Sequence, residues 1–198
     1  LHVPKGARII ADTVSADIGV TGVRGEQSLQ SVRGEVRTQA FDAPVKATAV
    51  SGEIVVTGNG GKAAVSTEKV SGSPTVPGVR GSYDGEVVSG EIHATVAAAD
   101  RIELNSVSGD IDLSVELGPT SRLDLESVSG TIGVRVKAPV NADFDIESFS
   151  GDIENCFGPK SQAKSEHGPG RELHFRQEAG KAQVRVNSLS GTINLCDR

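Results

Sequence analysis

The sequence predicts an all-β fold: one parallel β-solenoid domain over residues 1–198, with about nine coils of 18–21 residues and two main strands per coil. The first observation behind this is a recurring motif of apolar residue, Ser, Gly, a short polar residue and Ile. It stands as VSGEI at Val50–Ile54 and Val88–Ile92, VSGDI at Val107–Ile111, VSGTI at Val128–Ile132, FSGDI at Phe149–Ile153 and LSGTI at Leu189–Ile193. Weaker copies are VSADI at Val14–Ile18, VRGEV at Val32–Val36 and VSGSP at Val70–Pro74. The second is spacing. The motif positions Ala16, Gly34, Gly52, Gly72, Gly90, Gly109, Gly130 and Gly151 follow one another at 18–21 residues, and Gly191 comes 40 later. A self-similar unit of about twenty residues marks stacked coils. The third is period-two alternation on both sides of the motif, the mark of a half-buried strand.

In chain order, Leu1–Ile10 reads as a first edge. Each coil then carries a strand, a Ser-Gly corner and a second strand. Around Gly109 the inward set is Ile102, Leu104, Ile111, Leu113 and Val115, with Glu103, Asp110, Asp112 and Ser114 between them. Around Gly130 it is Leu123, Leu125, Ile132, Val134 and Val136, and around Gly151 it includes Phe144 and Ile153. The apolar residue two positions before each glycine, Phe149 included, is expected to join that core. Gly suits the corner because a sharp bend calls for positive φ or close approach to the next coil. The serine beside it reads as turn chemistry; a nucleophile would not need copying in eight rows. The segment 158–180 reads as a loop-rich insertion or a degenerate coil near the C-terminal end.

Composition agrees. Apolar residues make up 36%, with five Phe, one Tyr and no Trp, so small aliphatic side chains must fill a narrow interior. The 24 glycines follow the repeat and therefore do not form a flexible linker. A formal charge of −6 argues against nucleic acid and against an anionic membrane surface as partners. No apolar run reaches the roughly eighteen residues that a membrane-spanning helix needs. The chain begins at Leu1 and has no Met, which reads as a mature form or an excised piece.

Cys156 and Cys196 both lie five residues after a motif glycine and share one outward column. If their rows are adjacent, their Cα atoms fall within disulfide range. Such a bond fastens the last coil and points to an oxidising compartment. Two unrelated free thiols, or a metal pair, are the alternatives. Acidic residues also align in columns. Asp17, Glu35, Glu53, Glu91, Asp110 and Asp152 follow the corner, and Asp84, Glu86, Glu103, Asp124, Glu126, Asp145 and Glu147 precede it. Stacked carboxylates can hold Ca²⁺, and Glu91, Asp110, Asp112 and Asp152 are the candidate ligands. A solvated face that keeps the rod soluble is the plainer reading. His2, His93, His167 and His174 share no column, although His167 and His174 could meet within the insertion. No P-loop, GxSxG or HExxH sequence occurs, so no catalytic residue is expected, and no cofactor.

The stretch VPKGARIIADTVSADIGVTGVRG, the SVSGDI and SVSGTI coils, FSGDIENCFGPK and NSLSGTINLC together resemble a widespread bacterial family. Its members are exported β-solenoid domains of unknown function that carry the label adhesin, a label that is itself an inference. The resemblance covers essentially the whole chain, with Ala16, Arg33 and Pro74 as local departures. It implies export to the periplasm or cell surface of a bacterium, and it supplies no catalytic residues. The expectation is therefore a non-catalytic envelope scaffold or adhesion module that binds a protein or cell-surface partner through an extended face. A regulatory, envelope-stress module that recognises a protein or peptide is the alternative. A carbohydrate-active enzyme is a third reading, disfavoured by the scarcity of aromatic platforms.

Overall fold

The strands wind around a narrow aliphatic interior as two parallel ladders that meet at the Ser-Gly corner. The structure is a computed structural model, and it describes residues 2–164 and 169–196. The first strands are β1 (Ile9–Thr13), β2 (Ile18–Gly19), β3 (Gln27–Arg33), β4 (Val36–Ala40), β5 (Val45–Ser51), β6 (Ile54–Gly58) and β7 (Lys62–Ser71). Three long strands follow, β8 (Pro74–Ser89), β9 (Ile92–Ser108) and β10 (Ile111–Ser129), each running through the bend opposite the corner so that its two halves serve different ladders. Then come β11 (Ile132–Val136), β12 (Ala142–Ser150), β13 (Ile153–Asn155), β14 (Gln162–Ala163), β15 (Arg171–Arg176), β16 (Ala182–Ser190) and β17 (Ile193–Cys196).

Equivalent residues pair in register from rung to rung. Ser71, Ser89, Ser108, Ser129, Ser190 and Ser150 stack in one line, as do Ile54, Pro74 and, further along, Ile92, Ile111, Ile132, Ile193 and Ile153. Seven coils wind in chain order up to the corner at Gly130. The last two rungs are inverted. β16 pairs with β10 on one side and β12 on the other, and β17 likewise lies between β11 and β13. The C-terminal rung is thus an interior one. The insertion explains how this happens: β15 runs antiparallel to β12 and closes the end of the stack, and the chain then returns into the gap. Residue size fits the order. Phe144 on the outermost rung stacks on Phe175 of the closing strand at 4.6 Å, with Phe157 edge-on to it at 5.8 Å. The inserted rung offers the smaller aliphatic side chains Ala182, Val184, Val186, Ile193 and Leu195, which fill an ordinary interior layer.

The corner corrects one expectation. The residues three before each glycine point inward, and those two before it point out. Ser31, Ala49, Lys69, Val87, Ser106, Ser127, Ser188 and Ser148 are buried, whereas Val14, Val32, Val50, Val70, Val88, Val107, Val128, Phe149 and Leu189 are 38–66% exposed. Phe149 is therefore not a core residue. Inward positions before and after the corner are five apart, an odd step, so the bend itself reverses the alternation. The inside of the bend is narrow, which accounts for Ser or Ala at six of these eight places; Val87 also fits, and Lys69 does so by turning its ammonium onto the Gly52 carbonyl. The corner glycines adopt positive φ, +128° at Gly130 and +134° at Gly90, and a Cβ at Gly130 would press on the backbone carbonyl of Gly109.

Candidate functional site

The nine outward apolar residues form one continuous ladder along the corner edge, with successive members about 4.8 Å apart. Beside it, on the face of the pre-corner strands, runs a groove of about 860 Å³ bordered by Val70, Val88, Val107, Val128, Leu189 and Phe149. Its far side is polar and acidic, with Glu68, Glu86 and Glu126. Lys69 also borders it, but its ammonium turns into the corner and donates to the Gly52 carbonyl. Burial lowers the Lys69 pKa from its ordinary value, with Glu53 opposing. Below the groove floor the hydroxyls of Ser127, Ser188 and Ser148 lie on consecutive rungs without a partner among the described residues. The neighbouring Ser106 hydroxyl donates to the Gly109 carbonyl at 3.2 Å.

Two members of the acidic column after the corner bond the backbone of the next rung, while Glu35 and Glu53 both pair with Arg37. Asp17 accepts the Glu35 N–H at 2.8 Å, and Asp110 accepts that of Thr131 at 2.6 Å, each reaching one rung along. Ser73 does the same for Glu91. The exposed corner serines bond backwards, Ser129 donating to the Val107 carbonyl and Ser51 to that of Val32, both at 3.3 Å.

Of the residues considered as cation ligands, Glu91, Asp110 and Asp112 border one shallow hollow with His93. Glu91 meets the His93 ring at 3.0 Å, and Asp112 pairs with Arg135. Asp152 is not with them. It lies on the rung beyond the inserted one and pairs with Arg171 at 3.0 Å. A different trio converges elsewhere, with ligand atoms of Asp145, Glu147 and His174 within 4.8 Å of one another. His174 meets Asp145 at 3.0 Å, and Lys164 holds Glu147 at 2.6 Å, keeping that carboxyl below its ordinary range. Arg185 stands 3.8 Å from Asp145. A cation here would have to displace those bases. The trio was hidden in the sequence because His174 arrives on the antiparallel closing strand, outside the repeat. His167 lies outside the described residues, as does Leu1.

The pre-corner carboxylates Asp84, Glu103 and Asp124 stack on successive rungs. Burial, then Glu103 and Glu68, push the Asp84 carboxyl above its ordinary value. The inserted rung ends this column by placing Arg185 between Asp124 and Asp145. The aromatics are mostly spoken for: Tyr83 is buried and bonds Thr67 at 2.9 Å, and Phe144, Phe157 and Phe175 pack on one another.

Cys156 and Cys196 are joined by a disulfide across 40 residues, tying the end of β17 to the end of β13. Such bonds persist in oxidising compartments. No helix among the described residues is long and apolar enough to cross a membrane.

Coils in register, a closed C-terminal end and a long ladder of exposed side chains define a β-solenoid repeat protein. Residues 86–196 match the profile of the Toastrack DUF4097 family, and the chain belongs to that family. Neither the curated proteins nor the solved structures gave a match.

Proposed function

We propose that this chain is a non-catalytic module of the bacterial cell envelope, in the periplasm or at the cell surface, that binds a protein partner along its apolar ladder. The observation that carries this reading is the unbroken row of half-exposed apolar residues, eight aliphatic and Phe149, on nine successive rungs. A soluble protein rarely leaves so long a line of apolar side chains uncovered unless something docks there. Each half-exposed Val contributes on the order of 1 kcal/mol when covered. Association itself costs roughly 4–15 kcal/mol. One or two rungs therefore hold nothing, and a partner must lie along most of the ladder. That favours an extended contact over a pocket, as suits a scaffold or adhesion surface. The disulfide supports export.

The test compares the intact chain with a Val88→Thr, Val107→Thr, Val128→Thr variant as bait in envelope extracts. Threonine keeps the β-branched shape and removes the apolar surface. Proteins retained by the intact chain and lost from the variant support the reading. Identical captures refute it.

A further inference from the structure

The ladder has a pitch and a charge frame, and both restrict what can lie on it. We infer that its partner is a basic amphipathic helix, apolar along one stripe and carrying Lys or Arg on either side; this rests on the docking-face reading above. Pitch comes first. Rungs repeat at about 4.8 Å, and an α-helix advances about 5.4 Å per turn. The slip is about 0.6 Å per turn, so a helix of four turns stays within half a rung of register. An extended strand repeats its side chains on one face every 6.6–6.8 Å or so. It slips about 2 Å per repeat and is out of step almost at once.

Charge comes second. On the groove side, Glu86 and Glu126 border the ladder and make no ion pair among the described residues. The one lysine bordering the groove, Lys69, spends its ammonium on the Gly52 carbonyl. On the corner side stand Asp17, Glu35, Glu53, Glu91 and Asp110, of which Glu35 and Glu53 share the single guanidinium of Arg37 and Glu91 meets His93, so carboxylates still outnumber bases there. Both margins of the ladder are therefore acidic. A second copy of this chain would match the pitch but would set acidic margin against acidic margin, and like charges facing across an interface disfavour association. An anionic bilayer meets the same repulsion. Basic side chains flanking an apolar stripe meet attraction on both sides, and that attraction weakens with salt.

The probe is a labelled eighteen-residue model helix, with Leu at i, i+3, i+4 and i+7 positions and Lys on the flanks. Its controls are the same peptide with Gln flanks and one with a central proline. Binding to the disulfide-intact chain is read by fluorescence anisotropy. Circular dichroism checks that each protein variant keeps its β-sheet signal. The Lys peptide should bind at least tenfold more tightly than the Gln peptide at low salt, and the gap should close at high salt. Glu86→Gln with Glu126→Gln should narrow the gap severalfold, and the proline peptide should bind poorly. Equal binding of Lys and Gln peptides, with both weakened by the Val88, Val107, Val128→Thr variant, would overturn the basic partner and leave the docking face standing. Full binding of the proline peptide would overturn the helix. If no peptide responds to that Thr variant, the docking face itself falls. A concentration-dependent dimer that the same variant abolishes would hand the ladder to a second copy instead.

Discussion

Replacing Gly130 by Ala tests the corner directly. Gly130 sits at φ +128°, and its missing Cβ would lie 2.7 Å from the carbonyl carbon of Gly109 and 3.1 Å from a carboxylate oxygen of Asp110. Backbone held at such a φ with a side chain costs about 1–3 kcal/mol. Forcing a methyl against the next rung adds about 1–3 kcal/mol more, because a backbone carbonyl in a ladder cannot swing aside. Together that is about 2–6 kcal/mol. At about 2–4 °C per kcal/mol for a chain of this size, the melting temperature should fall by roughly 4–24 °C. Glu126→Ala is the control. It lies four residues away on the same rung, faces the solvent, and should stay within about 0.5 kcal/mol of the parent. Thermal melts followed by circular dichroism read both. Equal melting temperatures would mean that the glycine column is not what lets the rungs approach.

Other outcomes follow from the same geometry. Hydrogen exchange should show the amides of Val184–Ser190 as slow as those of β10, although they lie near the end of the sequence; fast exchange there would contradict the inserted rung. Non-reducing digestion should yield a Cys156–Cys196 linked peptide, and free thiols on both would remove the argument for an oxidising compartment. Chain-entropy reasoning for a loop of 40 residues gives that bond about 4 kcal/mol, so reductant should lower the melting temperature measurably. Asp84 has a carboxyl whose folded pKa is raised, so its contribution to stability is greatest below the unfolded value of about 3.9 and is lost as pH climbs through the folded value. Asp84→Asn should therefore melt higher than the parent at pH 7, and the difference should close near pH 3. A variant that melts lower at neutral pH would show that the carboxylate column is not repulsive.

Much of this molecule is legible in the chain because a solenoid writes its structure repeatedly. Ile102, Leu104, Ile111 and Leu113 announce one coil, and the rows around Gly130 and Gly151 confirm it by copying. The Cys column emerged the same way, since a column is simply a fixed offset from the glycine. The candidate face was harder to see. Val107 and its counterparts are apolar, and hydrophobicity alone assigns them to the core. What betrays them is the serine one place earlier, in NSVSGD, ESVSGT, ESFSGD and NSLSGT. Small residues there mark the inside of a tight bend and push the valine out. The trio of Asp145, Glu147 and His174 left no such mark, because nothing repeats His174.

The sequence by itself determined the period, the corners, the alternating aliphatic residues of the strands and the shared column of the cysteines, since each depends on local spacing and on side-chain chemistry. Only the tertiary structure decided that the last rung slides between Gly130 and Gly151, and that the corner apolar residues face the solvent. The reason is physical. Rungs with the same motif are interchangeable as neighbours, so their order is set by which side chains fit the closing strand: Phe144 meets Phe175 there, while Val184 and Val186 fill an inner layer. Likewise, a bend that separates inward positions by an odd step reverses inside and outside, and no count of hydrophobic residues records that.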